Sequence, residues 1–121
     1  MKPDIKPQME FKRKNLGEIS PIISPLVIYI ETSSYCNLKC IFCPQHLDPK
    51  NLNKQNMSLE TFKKTINDIN KFPKPLSKLR LCGTGEPTFN KKLPQMLEYA
   101  RKNANFDKFE LITNGLLITE N

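Results

Sequence analysis

The sequence predicts an α/β chain, a parallel β-α-β-α-β unit. Two observations predict it. Short β-branched and aromatic runs alternate with longer segments whose apolar residues recur every three or four positions, and each run ends in a polar turn. Strands that alternate with amphipathic helices pair in parallel through right-handed crossovers. The 121 residues are about one domain in length.

Residues 1–25 hold four prolines and mixed charge, which predicts an extended lead-in packed on the domain through Ile19, Ile22 and Ile23. Leu26 to Ile30 is a continuous apolar run, the pattern of a strand buried on both faces. A polar loop begins at Glu31 and carries three of the four cysteines, and residues 46–56 extend it by composition. Ser58 is placed to cap a helix with Leu59, Phe62, Ile66 and Ile69 on its apolar face. Met57, just before the cap, is placed to pack on Phe62. Pro73 ends that helix. A second strand is expected over Lys78 to Cys82, followed by the turn Gly83-Thr84-Gly85-Glu86-Pro87. Pro94 suits the first turn of a second helix with Leu93, Leu97, Ala100 and Ala104 inward. Lys108 to Thr113 is the expected third strand, Asn114-Gly115 a turn, and Thr119 a candidate cap for a third helix. Three strands leave two open edges, so residues 26–121 read as the first part of a larger domain.

Composition narrows the function. Apolar residues make up 38% and charged residues 26%, which suits a folded chain. The apolar run at Leu26 is too short to cross a bilayer, and the early prolines interrupt any signal-peptide core, so no membrane is expected and the cytoplasm is the expected compartment. The net charge of +7 comes mostly from dispersed lysines, sixteen of the 19 basic residues, which predicts a solvated surface and no nucleic acid. Cysteines in a reducing compartment point to metal binding or catalysis before disulfides.

Cys36, Cys40 and Cys43 are spaced C-x3-C-x2-C. Closed zinc sites take four ligands, here requiring Cys82 or His46, and ferredoxin cysteines ligate every iron of their cluster. Three cysteines on a four-iron cluster leave one iron open to a small molecule.

This motif resembles that of the radical S-adenosylmethionine (radical SAM) enzymes, C-x3-C-x-aromatic-C, with Phe42 as the aromatic residue. Gly83 to Pro87 resembles the family's G-G-E-P segment with Thr84 in place of a glycine, and Thr113-Asn114-Gly115 its T-N-G turn. Met57 to Phe62 and Gly-Glu-Pro-Thr-Phe are similar to members that carry a C-terminal SPASM domain. The resemblance implies the first half of a partial (β/α) barrel of the TIM-barrel type. It implies a 4Fe-4S cluster on Cys36, Cys40 and Cys43, with S-adenosylmethionine chelating the fourth iron. Reductive cleavage of that ligand gives a 5′-deoxyadenosyl radical, which takes hydrogen from a peptide, sugar or small-metabolite substrate. An electron donor such as a flavodoxin or ferredoxin is implied as a partner. Phe42 would lie near the adenine, backbone groups of Thr84, Gly85 and Glu86 would hold the methionine amino group, and Asn114 would approach the same ligand. The residues alone leave other readings open: a zinc-binding interaction module, a simple iron–sulfur electron carrier, Phe42 as a cover for the loop base, Cys82 as a buried inert thiol. Glu31, closing the first strand, receives no role.

Overall fold

A computed structural model describes residues 15–51 and 53–119. The elements run α1 (Leu16–Ile19), β1 (Val27–Ile30), α2 (Pro44–Leu47), a 3-10 turn (Pro49–Asn51), α3 (Leu59–Ile69), β2 (Leu76–Leu81), a second 3-10 turn (Pro87–Phe89), α4 (Leu93–Asn103) and β3 (Phe106–Leu111). The strands form one parallel sheet in the order β1-β2-β3. Ile30 pairs with Leu81, and Leu81 with Leu111, so the three strands end at one level. The loops that follow them meet there.

Period decides which residues go inside. Ile30, Leu79 and Leu81 join Phe62, Ile66 and Ile69 of α3 and Leu93, Met96 and Ala100 of α4 in one buried cluster, so both helices cover the same face of the sheet. Alternate strand residues face the other way. Tyr29, Arg80 and Glu110 stand opposite one another in register, and Arg80 donates to Glu110 (2.7 Å) and to the Tyr29 hydroxyl (2.9 Å). Lys78 reaches the same Glu110 carboxylate at 2.9 Å. Burial disfavours the charge on Glu110, but hydrogen bonds from Lys78 and Arg80 outweigh it and lower its pKa.

The helix caps follow the sequence closely. The Ser58 hydroxyl accepts from the Thr61 N–H, and Pro94 lies in the first turn of α4. Other expectations are corrected. β1 is not buried on both faces, for it is an edge strand and Tyr29 is 58% exposed. The lead-in is not wholly extended, since Asn15 caps the single turn α1. Ile19, Ile22 and Ile23 stay exposed, and the buried Ser24 makes the anchor instead, its hydroxyl accepting from the Lys74 N–H at 2.9 Å. Residues 46–56 are not all loop, because α2 and the first 3-10 turn occupy part of them. β2 and β3 each begin and end earlier in the chain than expected. In α4 it is Met96 that is fully buried, with Leu97 only partly so. Residues 116–118 form a turn, and a helix after Thr119 would fall on residues outside the described ones.

Phe62 has no exposed surface and lies where α3 meets the sheet. Phe62→Ala is expected to cost about 3–5 kcal/mol of stability. Urea unfolding followed by circular dichroism checks this, and a loss below about 1 kcal/mol would contradict this placement of the core.

Candidate metal and cofactor site

The loop after β1 leaves the sheet and returns to α3 through a tied neck. Ser33 bridges Asn56, the Ser34 N–H donates to the Gln55 carbonyl (3.0 Å), and the Met57 N–H donates to the Thr32 carbonyl (3.0 Å). The buried Asn90 side chain, from the segment before α4, donates to the Thr32 and Met57 carbonyls at 2.7 and 2.9 Å. Gln45 of α2 donates to the Ser34 carbonyl at 2.6 Å. The cysteine segment between these ties is therefore held at its base while its tip faces solvent, with Ile41 and Phe42 82% and 81% exposed.

Cys36, Cys40 and Cys43 are free, half-buried thiols within eight residues. The Cys43 N–H donates to the Cys40 carbonyl (3.0 Å), and Cys43 is the N-cap of α2. The Leu38 N–H donates to Cys36 Sγ at 3.4 Å. Among the described residues no three His, Cys, Asp or Glu side chains are gathered around one point, so neither the three thiols nor a zinc site completed by Cys82 or His46 is assembled. Three thiol donors on one short loop suit an iron–sulfur cluster by their chemistry. Cys82 directly follows β2 and is half-buried, and burial raises its thiol pKa, which disfavours the thiolate.

The turn after β2 is pressed against this loop. A Cβ at Gly85 would lie 2.0 Å from the Ser33 carbonyl oxygen, a backbone atom that cannot yield, so glycine is required. A Cβ at Gly83 would lie 2.3 Å from Glu31 Oε1. Thr84, where the family segment has a glycine, is exposed and meets no such obstacle. Its N–H and hydroxyl both donate to Glu31 Oε1, at 2.6 and 2.9 Å, and the Gly85 N–H donates to the same oxygen at 2.9 Å. The Thr84 carbonyl lies 4.0 Å from Cys43 Sγ, within reach of a weak S–H bond.

Glu86 is buried, and its groups run to both neighbouring loops. Its N–H donates to the Tyr35 carbonyl (2.7 Å). Oε1 accepts from the Thr113 hydroxyl (2.6 Å) and from the Thr88 N–H and hydroxyl, while Oε2 accepts from the Asn114 N–H (2.7 Å). Burial opposes the charge, but the bonds from Thr113, Asn114 and Thr88 together outweigh it and lower the pKa. The Asn114 side chain donates to Asn37 Oδ1 at 2.8 Å, inside the cysteine loop. Gly115 takes a positive φ of 75°, which completes the turn.

The structure thus brings together the cysteine loop, Thr84 to Glu86 and Asn114. Phe42 projects from the loop tip instead. Sequence reasoning missed Glu31 and Thr113 as partners of the second turn. A cavity of about 470 Å³ opens beside that turn, between Glu31, Thr84, Ser34, Gln55 and Thr61.

Comparison with known proteins gives the family. Residues 30–121 match the model of the Radical SAM superfamily, most of the chain. The chain belongs to that superfamily, whose enzymes use a 4Fe-4S cluster and S-adenosylmethionine. It is 36% identical over 105 residues to an Fe-coproporphyrin III synthase of Methanosarcina barkeri, covering 86% of this chain and 24% of that protein. It is 32% identical over 94 residues to a tungsten-containing aldehyde ferredoxin oxidoreductase cofactor-modifying protein of Pyrococcus furiosus, covering 77% and 25%. A GTP 3',8-cyclase of Peptoclostridium acidaminophilum is 30% identical over 92 residues, covering 75% and 27%. The chain spans about a quarter of the length of these relatives. No helix among the described residues is long and apolar enough to cross a membrane.

A pH dependence follows from Glu86. Its folded pKa lies below the ordinary 4.5, so its contribution to stability is complete above that value and is lost as the pH falls through the folded pKa. Glu86→Gln is expected to be less stable than wild type at neutral pH, with the difference shrinking in acid. Urea unfolding from about pH 7 down to pH 3 measures this, and a constant difference over the range would contradict it.

Proposed function

We propose that Cys36, Cys40 and Cys43 hold a 4Fe-4S cluster, each on one iron, and that the turn of Thr84, Gly85 and Glu86 holds S-adenosylmethionine at the remaining iron. Residues 26–121 then form the N-terminal part of a radical SAM core, with residues 1–25 leading into it. The bound pair supplies radical chemistry that takes hydrogen from an unreactive position of a substrate. Thr84 carries the reading, because its carbonyl lies 4.0 Å from Cys43 Sγ and so sets the second turn beside the cysteine loop. That carbonyl is suited to accept a hydrogen bond from the ligand's amino group. Asn114 is suited to approach the same ligand from the third loop, since its side chain already reaches Asn37. The exposed Phe42 is free to cover an adenine when the loop closes. The substrate is a peptide or a small molecule, and the electron comes from a small redox protein such as a flavodoxin or ferredoxin.

Anaerobic reconstitution with iron and sulfide is expected to give about four irons per chain, as a cluster ligated by three cysteines requires. Cys40→Ala is expected to lose the cluster and its visible absorption, and Cys82→Ala to keep both. Stoichiometric zinc without sulfide, or an equal loss in both variants, would overturn the assignment.

A further inference from the structure

The turn at Thr84 to Glu86 has a polarity, and Glu31 creates it. Three successive amide N–H groups of the turn are engaged by protein acceptors. Those of Thr84 and Gly85 go to Glu31 Oε1, at 2.6 and 2.9 Å, and that of Glu86 goes to the Tyr35 carbonyl at 2.7 Å. The Thr84 hydroxyl also donates to Glu31, so one carboxylate oxygen collects three donors from two residues. The Thr84 carbonyl is left on the side of the cysteine loop, 4.0 Å from Cys43 Sγ. Free N–H groups on successive residues would make the turn a receptor for anions. With those donors occupied, and a negative charge behind them, the groups left to a ligand are acceptors.

We propose that Glu31 is a positioning residue that gives this turn its preference for hydrogen-bond donors, the N–H groups of the amino function of S-adenosylmethionine. Glu31 does so without touching the ligand: it aligns the Thr84 peptide with its carbonyl toward the cysteines and adds its own charge behind. Gly83 belongs to the same device, because a Cβ there would lie 2.3 Å from Glu31 Oε1 and displace the carboxylate. The inference rests on the proposal that this turn holds S-adenosylmethionine.

The test is a cycle between Glu31 and the ligand's amino group. Wild type and Glu31→Gln, both full-length and reconstituted with the cluster, are titrated with S-adenosylmethionine and with the analogue carrying hydrogen in place of the α-amino group. Glu31→Gln is expected to weaken S-adenosylmethionine about tenfold and the analogue less than about twofold, as loss of one charge-assisted contribution predicts. Amide hydrogen exchange in the cluster-free protein gives a second reading, with Thr84 and Gly85 losing protection in Glu31→Ala. Equal weakening of both ligands would mean that Glu31 is only structural, and weakening of neither, or unchanged exchange, would also overturn the inference. If wild type binds S-adenosylmethionine no better than the analogue, the proposed function fails first and takes this inference with it.

Discussion

The arrangement at the strand ends depends on one buried carboxylate. Glu86 sits in the turn after β2, yet it bonds to the loop after β1 through its N–H and to the turn after β3 through both side-chain oxygens. A parallel sheet brings these loops to one edge, but it does not fix their relative positions. Glu86 does, with five bonds from or to Tyr35, Thr88, Thr113 and Asn114. A buried carboxylate left without such partners would be strongly destabilising. Each bond therefore constrains the chain as well as stabilising the charge.

Two carboxylates divide the work at the site. Glu31, just after β1, takes donors from the second turn, and Glu86, within that turn, takes donors from the turn after β3. Gly85 allows the close approach, with its Cα against the Ser33 backbone. The cysteines stand on the segment between these ties, whose tip at Ile41 and Phe42 faces solvent. Turns fixed by buried hydrogen bonds beside a loop of thiol donors suit the positioning of a small ligand.

The local features were legible in the sequence. The cysteine spacing, the Ser58 cap and Pro94 each depend on residues within a few positions of one another. Strand order and helix order were legible too, because periodicity changes sharply at each boundary. What depended on neighbours in space was not. A run such as Leu-Val-Ile-Tyr-Ile does not reveal that its strand lies at an edge, so the exposure of Tyr29 was hidden. Met96 and Leu97 are both apolar, and packing with α3 and the sheet decides which of the two turns inward. Glu31 and Thr84 lie 53 positions apart and meet only because β1 and β2 pair with Ile30 opposite Leu81. Thr113 was legible as part of a turn, but its bond to Glu86 needed the register of β2 with β3.

The central claim is that the loops at this edge of the sheet hold S-adenosylmethionine by its amino group beside an open iron. Pulsed electron–nuclear double resonance on the reduced cluster, with ligand labelled with nitrogen-15 at the α-amino group, tests it most directly. The account predicts a nitrogen-15 coupling large enough for direct coordination, present in wild type and absent without the ligand. A reduced four-iron cluster that shows no such coupling at saturating ligand would contradict it.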